Sequence, residues 1–117
     1  MINENENLNL IIRFQQLTLS GGITWKVANP HPAIVKMKDE YISTCYYCSF
    51  RESDIYLYVE RYSYYNGEFD NWLFSERTVL TILENDFISW ENYTDQGLLN
   101  DLLRIVMNST ANIGKFF

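Results

Sequence analysis

A chain of 117 residues that is 47% hydrophobic, 16% aromatic and 21% charged has enough apolar surface to bury one core and too much to stay disordered. Fifteen acidic residues against nine basic ones give a net charge of −6, which disfavours direct binding to a phosphate backbone, since that needs clustered Lys and Arg. The acids are scattered, so they read as a solubilising surface rather than a nucleic-acid mimic.

One domain, residues 1–117, is expected. Met1–Leu10 has neither a basic start nor an apolar core, and no run approaches the ~18 apolar residues of a membrane span. With two cysteines and no secretion signal, the expectation is a cytoplasmic protein with reduced thiols and no membrane contact.

Met1–Asn7 is polar and is expected to fray. Leu10, Ile11, Phe14, Leu17 and Thr18 then form one stripe of an amphipathic helix, which Gly21-Gly22 ends. Ile23-Thr-Trp-Lys-Val27 alternates and reads as a first strand with Ile23, Trp25 and Val27 towards the core. Asn29-Pro-His-Pro32 stops it, with His31 exposed between two prolines. Ala33–Glu40 fits either an irregular loop or a weak edge strand.

Tyr41–Phe50 is the second strand, and Arg51-Glu-Ser-Asp54 is a turn of hairpin length. Asp54–Tyr65 is the third strand. Read at period two, it puts Ile55, Leu57 and Val59 on one side and Tyr56, Tyr58, Tyr62 and Tyr64 on the other. Asn66-Gly67 is the strongest hairpin signal, in a loop that Glu68–Asn71 makes longer than two residues. Trp72–Leu83 is the fourth strand, and after a turn at Glu84–Asp86, Phe87–Trp90 is the fifth.

Thr94 is the expected N-cap of a last helix, with Asp95 in its first turn. Leu98, Leu99, Leu102, Leu103, Val106 and Met107 mark its apolar face, Asn100, Asp101, Arg104 and Asn108 face away, and Gly114 is a stop. The sum is an α+β domain: an antiparallel meander of about five strands with an N-terminal and a C-terminal helix packed on its aliphatic face.

An N-terminal helix closing on Gly21-Gly-Ile-Thr-Trp25, aromatic strands over Tyr41–Tyr65 and a C-terminal helix with Gly97-Leu-Leu-Asn-Asp-Leu-Leu103 make up this layout. It resembles many small uncharacterised proteins of bacteria and their phages. The similarity covers most of the chain, lies in layout rather than in a diagnostic motif, and transfers no catalytic residue. It implies a mobile-element accessory protein, such as an inhibitor of a host defence system or a toxin-immunity protein.

No catalytic, metal or cofactor site is expected. Cys45-Tyr-Tyr-Cys48 has CxxC spacing but sits in a strand, where i and i+3 point to opposite faces, and His31 is the one histidine available to complete a zinc site. The carboxylate pairs Glu52/Asp54 and Glu68/Asp70 lie in polar turns and read as solvated. The feature that points outward is the tyrosine side. Tyr56, Tyr58, Tyr62 and Tyr64, with Tyr46 or Tyr47 and Trp72 or Phe74 across the strands and Glu60 and Arg61 at the rim, suit contact with a protein partner or homodimerisation. The same rings also suit plain cross-strand stabilisation or cover by loop 28–40. The alternative function is a small-ligand binder that sequesters a nucleotide signal in a dimer groove, with Arg51, Arg61 and Arg77 as its cations.

Overall fold

The computed structural model describes residues 3–36 and 41–111. The elements run α1 (Glu4–Ser20), β1 (Lys26–Val27), α2 (Pro32–Lys36), β2 (Ile42–Phe50), β3 (Ser53–Asn66), β4 (Asn71–Glu84), β5 (Phe87–Asn92) and α3 (Gln96–Thr110). All five strands form one antiparallel sheet in the order β1-β2-β3-β4-β5. Helices α1 and α3 pack together over one face, so the expected α+β meander is the observed fold.

Helix α1 starts earlier than its polar first residues suggest. Asn3 is the N-cap: its Oδ1 accepts from the Glu6 N–H at 2.9 Å, and its Nδ2 donates to Glu6 Oε1 at 3.0 Å. An Asn followed three residues later by Glu is a helix-start signal in the manner of a capping box, so Glu4–Asn7 is helical rather than frayed. Gly21 closes α1 at φ 79, the left-handed cap that glycine tolerates. The cap returns the chain so that Trp25 Nε1 donates to Thr18 Oγ1 at 2.9 Å, and Thr18 Oγ1 donates to the Phe14 carbonyl at 2.7 Å.

The first strand is shorter than its alternation implies. Ile23 and Trp25 are buried, but they precede β1, and Val27 is exposed at the sheet edge rather than in the core. The segment after the prolines is neither loop nor strand: Pro32–Lys36 is a short helix. Gly114 and the rest of 112–117 lie outside the described residues, as do 37–40. The last helix begins one residue later than expected, with Asp95 rather than Thr94 at the N-cap position.

The sheet separates two cores. On the helix side, Ile11 and Phe14 of α1 and Leu99, Leu102 and Val106 of α3 close over Ile55, Leu57 and Leu80. Gln15 Nε2 donates to the Leu98 carbonyl at 2.9 Å, and Trp90 Nε1 donates to Asn7 Oδ1 at 2.9 Å, which ties α1 to α3 and to β5. On the other side, Ile34 of α2 is fully buried against Cys45, Tyr58, Val79 and Leu83. His31 holds α2 in place. Its Nδ1 accepts from the Ala33 N–H at 2.9 Å, its Nε2 lies 3.1 Å from Asp86 Oδ1, and its side chain is 18% exposed, so it is an inward anchor rather than an exposed turn residue.

Candidate interaction surface

The second core changes the meaning of the tyrosine side. Tyr58 is fully buried, with its hydroxyl 3.0 Å from Thr81 Oγ1. Glu60 is fully buried as well and accepts from Arg77 Nε at 2.8 Å. Tyr56 is half-buried, edge-on to His31 at 6.1 Å and beside Tyr47 at 5.1 Å. The docking of Ile34 from α2 turns this half of the face into interior. The sequence places Tyr58 and Glu60 on an exposed surface; both are instead interior, and Tyr56 is only the covered margin of that surface.

The accessible aromatics lie further along the same hairpin. β2 leaves β3 at Ile42↔Glu60, with one last bond from the Arg61 N–H to the Tyr41 carbonyl at 2.8 Å. β5 leaves β4 at Leu80↔Asn92. The paired segments Arg61–Asn66 and Asn71–Glu76 continue as a two-stranded arm. Such a ribbon has no sheet on either flank, and its rings have little to bury them.

The register assigns the rings to faces. Tyr62 opposes Ser75 and Tyr64 opposes Leu73 on the α2 side, with Tyr62 and Tyr64 rings 6.2 Å apart. Tyr65 opposes Trp72 on the helix side, rings 5.6 Å apart, and Phe74 follows on that side. The guanidinium of Arg61 stacks over Phe74 at 5.3 Å and over Tyr41 at 6.0 Å. Trp72, Phe74 and Arg61 thus lie on the face opposite Tyr62 and Tyr64, not among them. Loop length decides this. The four-residue loop Gly67–Asp70 pairs Asn66 with Asn71, which sets odd positions of β3 against even positions of β4. A loop with one residue more or less would have turned Trp72 and Phe74 to the tyrosine side.

The arm carries the largest exposed rings of the described chain apart from Phe87: Phe69 is 70% exposed, Phe74 66% and Trp72 65%. Phe69 and Tyr65 escape a period-two reading of tyrosines, because Phe69 is in the loop and Tyr65 falls on the aliphatic parity. Tyr65 donates from its hydroxyl to Asp70, and Tyr47 donates to Asp54 at 2.7 Å, so two of the turn carboxylates anchor rings.

The three candidate cations do not converge. Arg51 stacks on Phe50 at the far end of the sheet. Arg77 lies between Tyr62 at 4.5 Å and Tyr93 at 4.0 Å, on the face opposite Arg61. A groove of about 230 Å³ runs at the root of the arm, lined by Val59, Arg77, Gln96 and Leu103 among others. Cys45 and Cys48 are buried in different cores, one on each side of the sheet.

Among the described residues, no helix is long and apolar enough to cross a membrane. Comparisons with protein-family models, with curated proteins and with solved structures find no match to this chain.

Proposed function

We propose that the chain is a non-enzymatic, cytoplasmic protein-binding module that docks a protein partner through the aromatic arm. Its role is that of a phage or mobile-element accessory protein, acting as an inhibitor of a host defence system or as an immunity factor. The observation that supports this reading is the set of exposed rings at Phe69, Trp72 and Phe74, on a ribbon that contributes nothing to either core. Large aromatics concentrated where folding has no use for them match the composition of protein contact sites.

The test is a photo-crosslinking side chain placed at Phe69 of the arm or at Asn108 on the exposed face of α3, in bacterial cells. The expected result is a discrete adduct with one foreign polypeptide from position 69 and none from position 108. Trp72→Ala with Phe74→Ala should remove the adduct while the circular dichroism spectrum stays unchanged. No adduct from the arm, or the same pattern from both positions, would overturn the reading.

A further inference from the structure

The outer edge of β4 is open. Among the described residues, no strand pairs with Asn71–Val79 on the side away from β3. At Thr78 a side chain closes that edge: the Thr78 N–H donates to Gln96 Oε1 at 3.0 Å, and Gln96 Nε2 donates to the Thr78 carbonyl at 2.8 Å. These two bonds copy what a neighbouring strand supplies, and they fix direction, because both backbone groups of Thr78 point outward. In an antiparallel ladder this orientation recurs at every second residue. Glu76, Phe74 and Trp72 therefore also present their N–H and C=O outward. They are three open rungs in a row, bounded by Gln96 at one end and the Gly67–Asp70 loop at the other.

Edges of this kind are usually guarded by Pro, Lys or a bulge. The chain guards the β1–β2 margin in that way. Lys26 sits in β1 with Pro30 and Pro32 after it, and the pairing of β2 with β3 shifts register at Ile42/Thr44. Trp72–Glu76 has no Pro and no Lys, and its pairing with β3 runs without a shift.

We propose that a second copy of the chain pairs antiparallel along this edge, about a two-fold axis at Phe74, and joins two five-stranded sheets into one. This names a partner for the same arm and rests on the reading of the arm as a contact surface. The register follows from the rungs. Phe74 meets Phe74 of the second copy, and Trp72 meets its Glu76, so all three rungs on each chain are used. Centring on Ser75 would set Trp72 against Thr78, whose groups Gln96 already holds. Centring on Leu73 would leave Glu76 unpaired.

The charges permit it. Glu76 and its symmetry mate are offset by four residues, roughly 14 Å at ~3.4 Å per residue. That exceeds the ~8 Å screening length at physiological salt. Each Glu76 also opposes Arg61 across its own ladder. Buried aromatics cover ~150–250 Å² each, so two rings and three rungs stay below the ~800 Å² per partner of a standard interface. The dimer is therefore concentration-dependent. Because each copy carries −6, added salt tightens it.

Sedimentation equilibrium across concentration tests the pairing, with the mass expected to rise from 13.9 kDa towards twice that value. Phe74→Lys sets two ammonium groups against each other on the axis, and Glu76→Pro deletes an outward donor. Neither touches the bonds to β3, and each should weaken association by about tenfold or more with the spectrum of the fold retained. Phe74→Cys reads the register. Opposed Cα atoms of a hydrogen-bonded pair lie ~5.5 Å apart, within the ~4.4–6.8 Å of a disulfide. It should cross-link under mild oxidation, whereas Ser75→Cys should not; Cys45 and Cys48 are buried and do not compete. A monomer at every concentration, or a dimer that both Phe74→Lys and Glu76→Pro leave intact, overturns the proposal. A monomer that still gives the foreign adduct from position 69 overturns self-pairing alone. A dimer that gives none overturns the foreign partner alone.

Discussion

Cys45 and Cys48 stand three residues apart on β2 and face opposite cores, each with burial pushing its thiol up to about 12 from an ordinary value of 9.0. Burial also raises the Tyr58 phenol, with its bond to Thr81 opposing in part. These groups ionise first in the unfolded chain, which then holds fewer protons than the fold. Their contribution is complete below about pH 9 and is lost as pH rises towards 12. The urea midpoint of the wild type should therefore start to fall near pH 9. In Cys45→Ala with Cys48→Ala, the fall should start later, where Tyr58 begins to ionise in the unfolded chain. A midpoint that declines identically in both proteins would remove the thiols from the account. The opposite facing of this pair was legible from strand parity alone. The full burial of Tyr58 was not, because it depends on Ile34 arriving from a five-residue helix too short to leave a periodic trace.

The hairpins show how turn chemistry can mislead at the level of the element. Arg51-Glu52 and Asn85-Asp86 all have positive φ, between 50 and 66, so both two-residue turns carry the left-handed pair of a type I′ connection without a glycine. Asn66-Gly67, the dipeptide that most suggests such a turn, does something else. Asn66 Oδ1 accepts from the Glu68 N–H at 3.0 Å and caps a four-residue loop, in which Asp70, not Gly67, has positive φ (48). Two substitutions separate the cases. Glu52→Gly relieves a left-handed non-glycine residue and should raise stability by about 0.5–1 kcal/mol after the entropy of the added glycine is counted, read as a higher urea midpoint at unchanged slope. Gly67→Ala should be near neutral, since its new Cβ would meet only a ring carbon of Tyr65 at 3.8 Å. The strands themselves were legible from alternation. The side on which Trp72 and Phe74 emerge was not, because it turns on the parity of a loop whose Gly-Glu-Phe-Asp sequence does not fix its own length.

The arm also sets the dimensions of the molecule. A compact domain of this length has a radius of gyration of about 13 Å, whereas this one has 15.4 Å and a long axis of 50 Å. That axis is close to the ~46 Å expected of fourteen residues of strand, so the β3–β4 hairpin accounts for the elongation. Both cores draw on the inner half of the hairpin, from Ile55 to Tyr58 and from Val79 to Leu83, and none of their buried residues comes from the outer half. The buried cores therefore reside in one half of this element and the proposed contact surface in the other. Replacing Ser63–Phe74 with Asn-Gly closes the hairpin at the directly opposed pair Tyr62↔Ser75 with a two-residue turn. The shortened chain should unfold at the temperature of the wild type within a few degrees, and small-angle scattering should return a radius near that of a compact domain. It should remain monomeric at concentrations where the wild type associates. A large drop in unfolding temperature would mean that the outer rings stabilise the body, and the exposed aromatics would then need no partner to explain them.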